Sequence, residues 1–338
     1  MRFPLADGGD GTAETLTGMF GGQLESALAH DALGRPRSAR YGVLGDGRAV
    51  IDVASASGIA HLKQSELDVW SASSRGTGDL ACIALREGAR EILLGVGGSA
   101  SVDGGLGLLS ALGVRALDAN GKLVPDGARG LLELARFDTS RLEPAARQAR
   151  WTILCDVDAP LLGALDYAPQ KGASTRDLRE LERGLTNLAQ LLEAQLGFFP
   201  ALAGGGAAGG IPASLMALLG ARCVSGIDFV LDAGGFDAAL DGADLVISAE
   251  GCFDAQSLAN KGPVGAARRA RKRGVPTLVL AGAISGDFER ANASVAALLS
   301  ITQAPCSLDH ARSVAADWLS RTAEQSLRVF QLGVAAAR

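Results

Sequence analysis

The chain has 338 residues, 48% of them hydrophobic and 20% charged, with a formal net charge of −5. That balance supports a large buried core and excludes a general nucleic-acid binder or a protein drawn to acidic membranes. No signal peptide opens the chain and no apolar run reaches the ~18 residues that cross a bilayer, so a soluble, cytoplasmic protein is expected.

In chain order, the pattern predicts a strand over 49–53, a helix over 79–89 and a strand over 91–96. Residues 104–113 have glycine-interrupted helical character, and 151–154 reads as a strand running into Asp156. The clearest helix spans 176–196, where Leu178, Leu181, Leu185, Leu188 and Leu192 repeat at three-four spacing as a core stripe. A glycine run over 204–210 leads into a short helix ending near Gly220. Further strands follow over 245–248, 277–280 and 295–301, with a helix over 263–273. The cations in the last turns of that helix, Arg268, Arg269, Arg271, Lys272 and Arg273, read as structural or solvated. A long final helix begins near Asp309, with Ala311, Val314, Leu319, Ala323, Leu327 and Phe330 on one face. Strands alternating with helices predict an α/β fold of parallel sheets covered by helices.

Five scattered cysteines contain no Cys-x-x-Cys pair, and His30, His61 and His310 have no neighbour at metal-ligand spacing. Neither a disulfide framework nor a zinc site is expected. Acidic residues recur instead at four places, mostly beside glycine. They are Asp7-Gly8-Gly9-Asp10-Gly11-Thr12, Asp103-Gly104-Gly105, Cys155-Asp156-Val157-Asp158, and Glu250-Gly251 with Asp254. Glycine lets backbone N–H groups approach an anion, and a carboxylate beside it can hold Mg²⁺ or accept a hydroxyl proton. The combination points to a phosphorylated ligand handled through a metal. No Walker A lysine and no protein-kinase signature is present. Gly97-Gly98-Ser99-Ala100-Ser101 has no histidine partner for a hydrolase nucleophile, and the segment from Gly95 matches a dinucleotide loop only weakly.

The motifs taken together resemble the bacterial type I glycerate kinases. The resemblance is carried by Ala6 to Thr12, Ser74-Arg75-Gly76-Thr77-Gly78, Gly97 to Ala100, Asp103-Gly104-Gly105 and Cys155-Asp156-Val157. It continues through Pro169-Gln170-Lys171-Gly172-Ala173, Gly206 to Gly210, Glu250-Gly251, Asp254-x-Gln256-Ser257 and Lys261-x-Pro263. It implies phosphorylation of D-glycerate with ATP and Mg²⁺, to 2-phosphoglycerate or 3-phosphoglycerate, in a cleft between two α/β domains. A discontinuous Rossmann-like domain (1–35 and 241–338) is expected to carry an inserted α/β domain (36–240). Asp156, Asp7 and Glu250 become candidates for proton transfer and metal binding, with Lys171 as a further catalytic candidate. Gly97, Gly98, Ser99, Gly205, Gly206 and Lys261 are expected at the nucleotide, and Asp10, Arg75, Gln170 and Asp254 at the substrate. A homo-oligomer is compatible with all of this.

Three departures from the family pattern stand out. The sequence reaches the acidic turn without the usual preceding strand, helix and lysine, so the first domain is expected to show an uncovered sheet edge or a partner chain in its place. Residues 159–168 form a shorter stretch than usual, with alanine where asparagine is common. Ala249 and Asn260 stand where glycines are typical. The alternative reading is a truncated or diverged, non-catalytic member that binds glycerate or a nucleotide.

Overall fold

The computed structural model describes residues 1–199, 201–255, 257–258, 262–285, 293 and 295–336. The chain divides into two compact units, Pro4–Ala233 and Met1–Phe3 with Gly234–Arg338.

The strands of the larger unit are β1 (Gln23–His30), β2 (Pro36–Val43), β3 (Arg48–Asp52), β4 (Glu91–Gly95), β5 (Arg115–Leu117), β6 (Arg136–Asp138), β7 (Arg150–Leu154) and β8 (Arg222–Val224). Its helices are α1 (Thr12–Met19), α2 (Val53–Ser57), α3 (Arg75–Arg86), α4 (Leu106–Ala111), α5 (Arg129–Glu133), α6 (Pro144–Gln148), α7 (Thr175–Leu196), α8 (Ile211–Leu219) and α9 (Gly226–Ala233). Six strands form one sheet in the order β1-β2-β3-β4-β7-β8, while β5 and β6 pair separately. The pairs β3–β4, β4–β7 and β7–β8 are parallel, as the strand–helix alternation predicts. A strand covered on both faces needs apolar residues at consecutive positions. In β4, Ile92 and Leu94 pack with Leu80, Leu108 and Trp151. Leu93, between them, packs on the other face with Leu16, Val50, Leu154 and Val230. Each such burial contributes about 1.5–3 kcal/mol before entropy is counted.

The β1–β2 ribbon is antiparallel and has no counterpart among the expected strands. β1 is exposed along most of its length, whereas β2 buries Ala39, Tyr41 and Gly42, too short an apolar pattern to mark a strand in the sequence. Its turn is set by Asp31, whose Oδ1 accepts from the N–H groups of Leu33 and Arg35. This ribbon also changes the expected domain limits. The anticipated boundary at 35/36 falls inside a hairpin joined along eight residue pairs, so residues 4–35 belong to the larger unit. The second limit lies at 233/234 instead of 240/241.

Helix α3 begins at Arg75, four residues before the expected start, although Gly76 and Gly78 disfavour helix. Tertiary packing overrides that propensity. A Cβ at Gly76 would stand 1.7 Å from the His30 carbonyl oxygen, and one at Gly78 would stand 2.6 Å from that of Leu108. The predicted stripe of α7 is buried at Leu181, Leu185, Leu188 and Leu192, and Ser174 with Asp177 forms its capping box.

The smaller unit contains α10 (Phe236–Ala239), β9 (Val246–Phe253), α11 (Gly262–Lys272), β10 (Thr277–Ile284), β11 (Ala297–Ser300) and a C-terminal helix, Leu308–Ala336. Its parallel sheet has the order β11-β10-β9, which makes β9 an edge among the described residues. Leu319 and Ala323 of the final helix pack with Leu278 and Leu280, but farther along Leu327 is 43% exposed. The predicted apolar face is therefore covered only over its first half. Among the described residues no helix is long and apolar enough to cross a membrane, and all five cysteines are free.

Candidate active site

The acidic turn at residues 7–12 lies across strand ends of the larger unit, and glycines make the fit possible. Gly8 has φ +85, and a Cβ on it would stand 2.4 Å from the Leu154 carbonyl oxygen at the end of β7. A Cβ on Gly97, just beyond β4, would stand 2.6 Å from the Gly9 Cα, and one on Gly226, at the start of α9, 2.7 Å from the Asp7 carbonyl. The Gly97 N–H donates to the Gly8 carbonyl at 2.9 Å. Open parallel sheets present ligand-facing groups at this end.

Asp156 follows β7 directly. Its Oδ1 accepts from the Ser225 hydroxyl at 2.8 Å and its Oδ2 from the Ile227 N–H at 2.9 Å. Burial pushes its pKa up to about 6 and the charge of Asp7 adds to the rise, while the bonds from Ser225 and Ile227 oppose it. A carboxylate poised near neutrality suits proton acceptance from a hydroxyl. Asp7 Oδ1 in turn accepts from the Gly9 N–H at 3.3 Å, and Asp10 is exposed.

Ser99 links this cluster to Lys171. The Lys171 ammonium is buried and donates to the Ser99 hydroxyl and the Ser101 carbonyl, each at 2.8 Å. Burial lowers its pKa to about 8, with the charge of Asp103 acting in the opposite sense. Between Gly97 and Ser99, Gly98 is an exposed tip with φ +72, a conformation that glycine adopts without strain. The charge of Asp7 reaches Asp156, and from Asp7 the chain of neighbours runs through Gly8 and Gly97 to Ser99 and Lys171, so five of the expected site positions fall in one region with Gly98 at the turn.

Other expected residues stand elsewhere. Arg75 Nη1 donates to Ser110 on α4 at 3.4 Å, and Gln170 is exposed beside Lys171. The N–H groups of Gly205 and Gly206 donate to the carbonyls of Leu202 and Ala159, so the structure gives both glycines a packing role instead of a free donor. A Cβ on Gly206 would stand 2.2 Å from the Pro160 carbonyl oxygen. In the smaller unit, Glu250 accepts from the Ser257 hydroxyl at 2.9 Å, and Asp254 Oδ1 accepts from the Ser257 N–H at 3.2 Å. Lys261, Gln256 and Asn260 lie outside the described residues.

Two contributors escape the motif reading, Ser225 and Asp52. Asp52, at the end of β3, accepts from the Gly11 N–H at 3.1 Å. Its one sequence signal is a carboxylate closing an otherwise apolar strand.

A family model described as the glycerate kinase family matches residues 1–331. The chain is 41% identical over 294 residues to a glycerate kinase from Halalkalibacterium halodurans, covering 85% of this chain and 77% of that protein. Against glycerate kinase from Bacillus subtilis the identity is 38% over 329 residues, with 95% and 86% covered. Against glycerate 2-kinase from Escherichia coli K12 it is 36% over 338 residues, with 98% and 89% covered. The fold matches the crystal structure of a candidate glycerate kinase 2 from Salmonella typhimurium LT2 with a TM-score of 0.81 at 36% identity, over 98% of this chain and 89% of that one. The chain belongs to the glycerate kinase family.

Proposed function

We propose that the protein transfers the γ-phosphoryl group of ATP to the 2-hydroxyl of D-glycerate in the cytoplasm. The observation that carries this reading is Asp156, held by Ser225 and Ile227 beside Asp7 and the Gly8–Gly97 contact. The hydroxyl oxygen bonds to the γ-phosphorus, the bond from that phosphorus to the β–γ bridging oxygen breaks, and ADP leaves. Asp156 takes the hydroxyl proton. Phosphoryl transfer needs positioning and charge neutralisation more than covalent catalysis. Lys171 supports the Gly97–Ser99 turn, whose exposed tip at Gly98 suits a phosphate oxygen.

Among the described residues no three His, Cys, Asp or Glu side chains gather as a cation cage. Mg²⁺ usually takes one or two protein carboxylates and completes its shell with phosphates and water. The adjacent Asp7 and Asp156 fit that donor set, since a cation relieves the repulsion that helps raise Asp156. When bound there by Asp7, Mg²⁺ supplies neutralisation of phosphate charge. Glu250 is a further candidate for proton transfer or metal binding, and Lys261 for the nucleotide. The 2-hydroxyl follows the name of the Escherichia coli relative, a glycerate 2-kinase.

The test is ADP release by the purified protein with ATP, Mg²⁺ and D-glycerate, followed by NMR of the product. Glycerate-dependent ADP with a 2-phosphoglycerate spectrum is expected. A 3-phosphoglycerate spectrum would overturn the choice of hydroxyl. A folded protein that releases no ADP, with and without glycerate, would overturn the kinase and favour a binding role.

A further inference from the structure

Asp52 is only 3% exposed, and its carboxylate is directed at the acidic turn. Oδ2 accepts from the Gly11 N–H at 3.1 Å, and the Ala13 N–H lies 3.1 Å from both carboxylate oxygens. These amides open α1, whose first N–H groups have no partner within the helix. Gly11 occupies the cap position at φ 87 and has no side chain to serve them. A neighbouring strand therefore provides the acceptor that a serine or asparagine cap would normally provide.

The partner of Asp52 on β4 is Gly95. A Cβ there would stand 2.8 Å from Asp52 Oδ1 and 2.9 Å from the Gly8 carbonyl oxygen. One missing side chain thus makes room both for the carboxylate and for the turn it holds. The turn is fastened twice, at Gly8 by the Gly97 N–H and at Gly11 and Ala13 by Asp52. Asp7 and Asp10 lie on this fastened segment. A buried carboxylate is a costly way to cap a helix that a short polar residue could cap locally. Its place across the sheet, where it reaches two amides of the turn, accounts for its presence better.

We infer that Asp52 is a positioning residue, fixing the 7–12 turn so that Asp7 stays beside Asp156 and Asp10 faces outward. Its kinetic consequence rests on the phosphoryl transfer proposed above, whereas its structural consequence does not.

The experiment compares wild type with Asp52→Ala and Asp52→Asn by steady-state kinetics and by hydrogen exchange of peptides covering residues 7–14. For Asp52→Ala, kcat is expected to fall about 30-fold or more, with KM for ATP and glycerate within about threefold of wild type. Amides of the turn should exchange about tenfold faster or more, with the rest of the larger unit unchanged. Asparagine keeps one acceptor oxygen and should recover part of both effects. Should the alanine variant fail to fold, the asparagine variant carries both readouts. A folded variant with wild-type kcat, or with unchanged exchange in the turn, would overturn the inference. If wild type itself does not phosphorylate glycerate, the proposed function falls, and exchange in the turn alone decides the role of Asp52.

Discussion

Asp103 and Asp156 belong to the same set of acidic segments in the sequence, yet the fold gives them opposite work. Asp103 is fully buried and accepts from the Ser74 N–H, the Ser74 hydroxyl, the Gly105 N–H and the Gly107 N–H. Every direction from which it could bind a ligand is taken, so it bolts the start of α3 to the start of α4. Asp156 accepts two hydrogen bonds, feels the charge of Asp7 and is lifted to about 6, chiefly by burial. Under the function proposed above, supply of donors separates a structural carboxylate from a chemical one. Nothing in the residue type or in its glycine neighbours decides it.

The largest effect should come from Asp156→Asn, which keeps the shape of the side chain and removes its ability to take a proton. Glycerate-dependent turnover is expected to fall about 10³-fold, within the range for lost general-base catalysis. Stability in urea should change by less than about 1 kcal/mol, because repulsion with Asp7 is relieved. Retention of more than a tenth of wild-type turnover would break the contrast with Asp103.

Asp103→Ala should show the reverse. Four donors lose their acceptor in a dry interior, and unfolding free energy should drop by about 3–4 kcal/mol in urea melts. Turnover per folded molecule should stay within about threefold of wild type. A much deeper loss of turnover would move Asp103 into the chemistry.

Gly97→Ala sharpens the comparison from the backbone side. Its new Cβ would meet the Gly9 Cα at 2.6 Å, and backbone cannot swing aside as a flexible side chain can. A destabilisation of about 2–3 kcal/mol is expected by calorimetry. The displaced turn should also cost at least about tenfold in turnover. Wild-type activity would show that the contact between Gly9 and Gly97 is packing alone.

The smallest effect concerns pH. Burial lifts Asp52 to about 7 from an ordinary 3.8, the charge of Asp10 adds to the rise, and the N–H groups of Ala13, Gly11 and Thr12 oppose it. The folded chain therefore keeps a proton that the unfolded chain has already released. Stability from this group falls as pH rises between those two values and is level above about 7. Measured against Asp52→Asn, the wild-type unfolding free energy should decline by on the order of 2 kcal/mol between about pH 5 and 8. A constant difference across that range would mean that Asp52 is charged throughout.

The ordered motifs and the apolar periodicity made the family, the α/β class and most strands and helices legible in the sequence. Local periodicity dictates those features, because a strand buried on both faces or a leucine stripe has few other ways to hide from water. The tertiary structure alone decided what depends on residues distant in sequence. It joined residues 4–35 to the larger unit through an antiparallel ribbon, and it started α3 early because two glycines meet carbonyls of other elements. It also turned Lys171 toward Ser99 and Ser101, gave Asp103 four donors and left Asp156 with two. Burial and donor count belong to the assembled neighbourhood, and they set the surroundings of each acid, including those of Asp52.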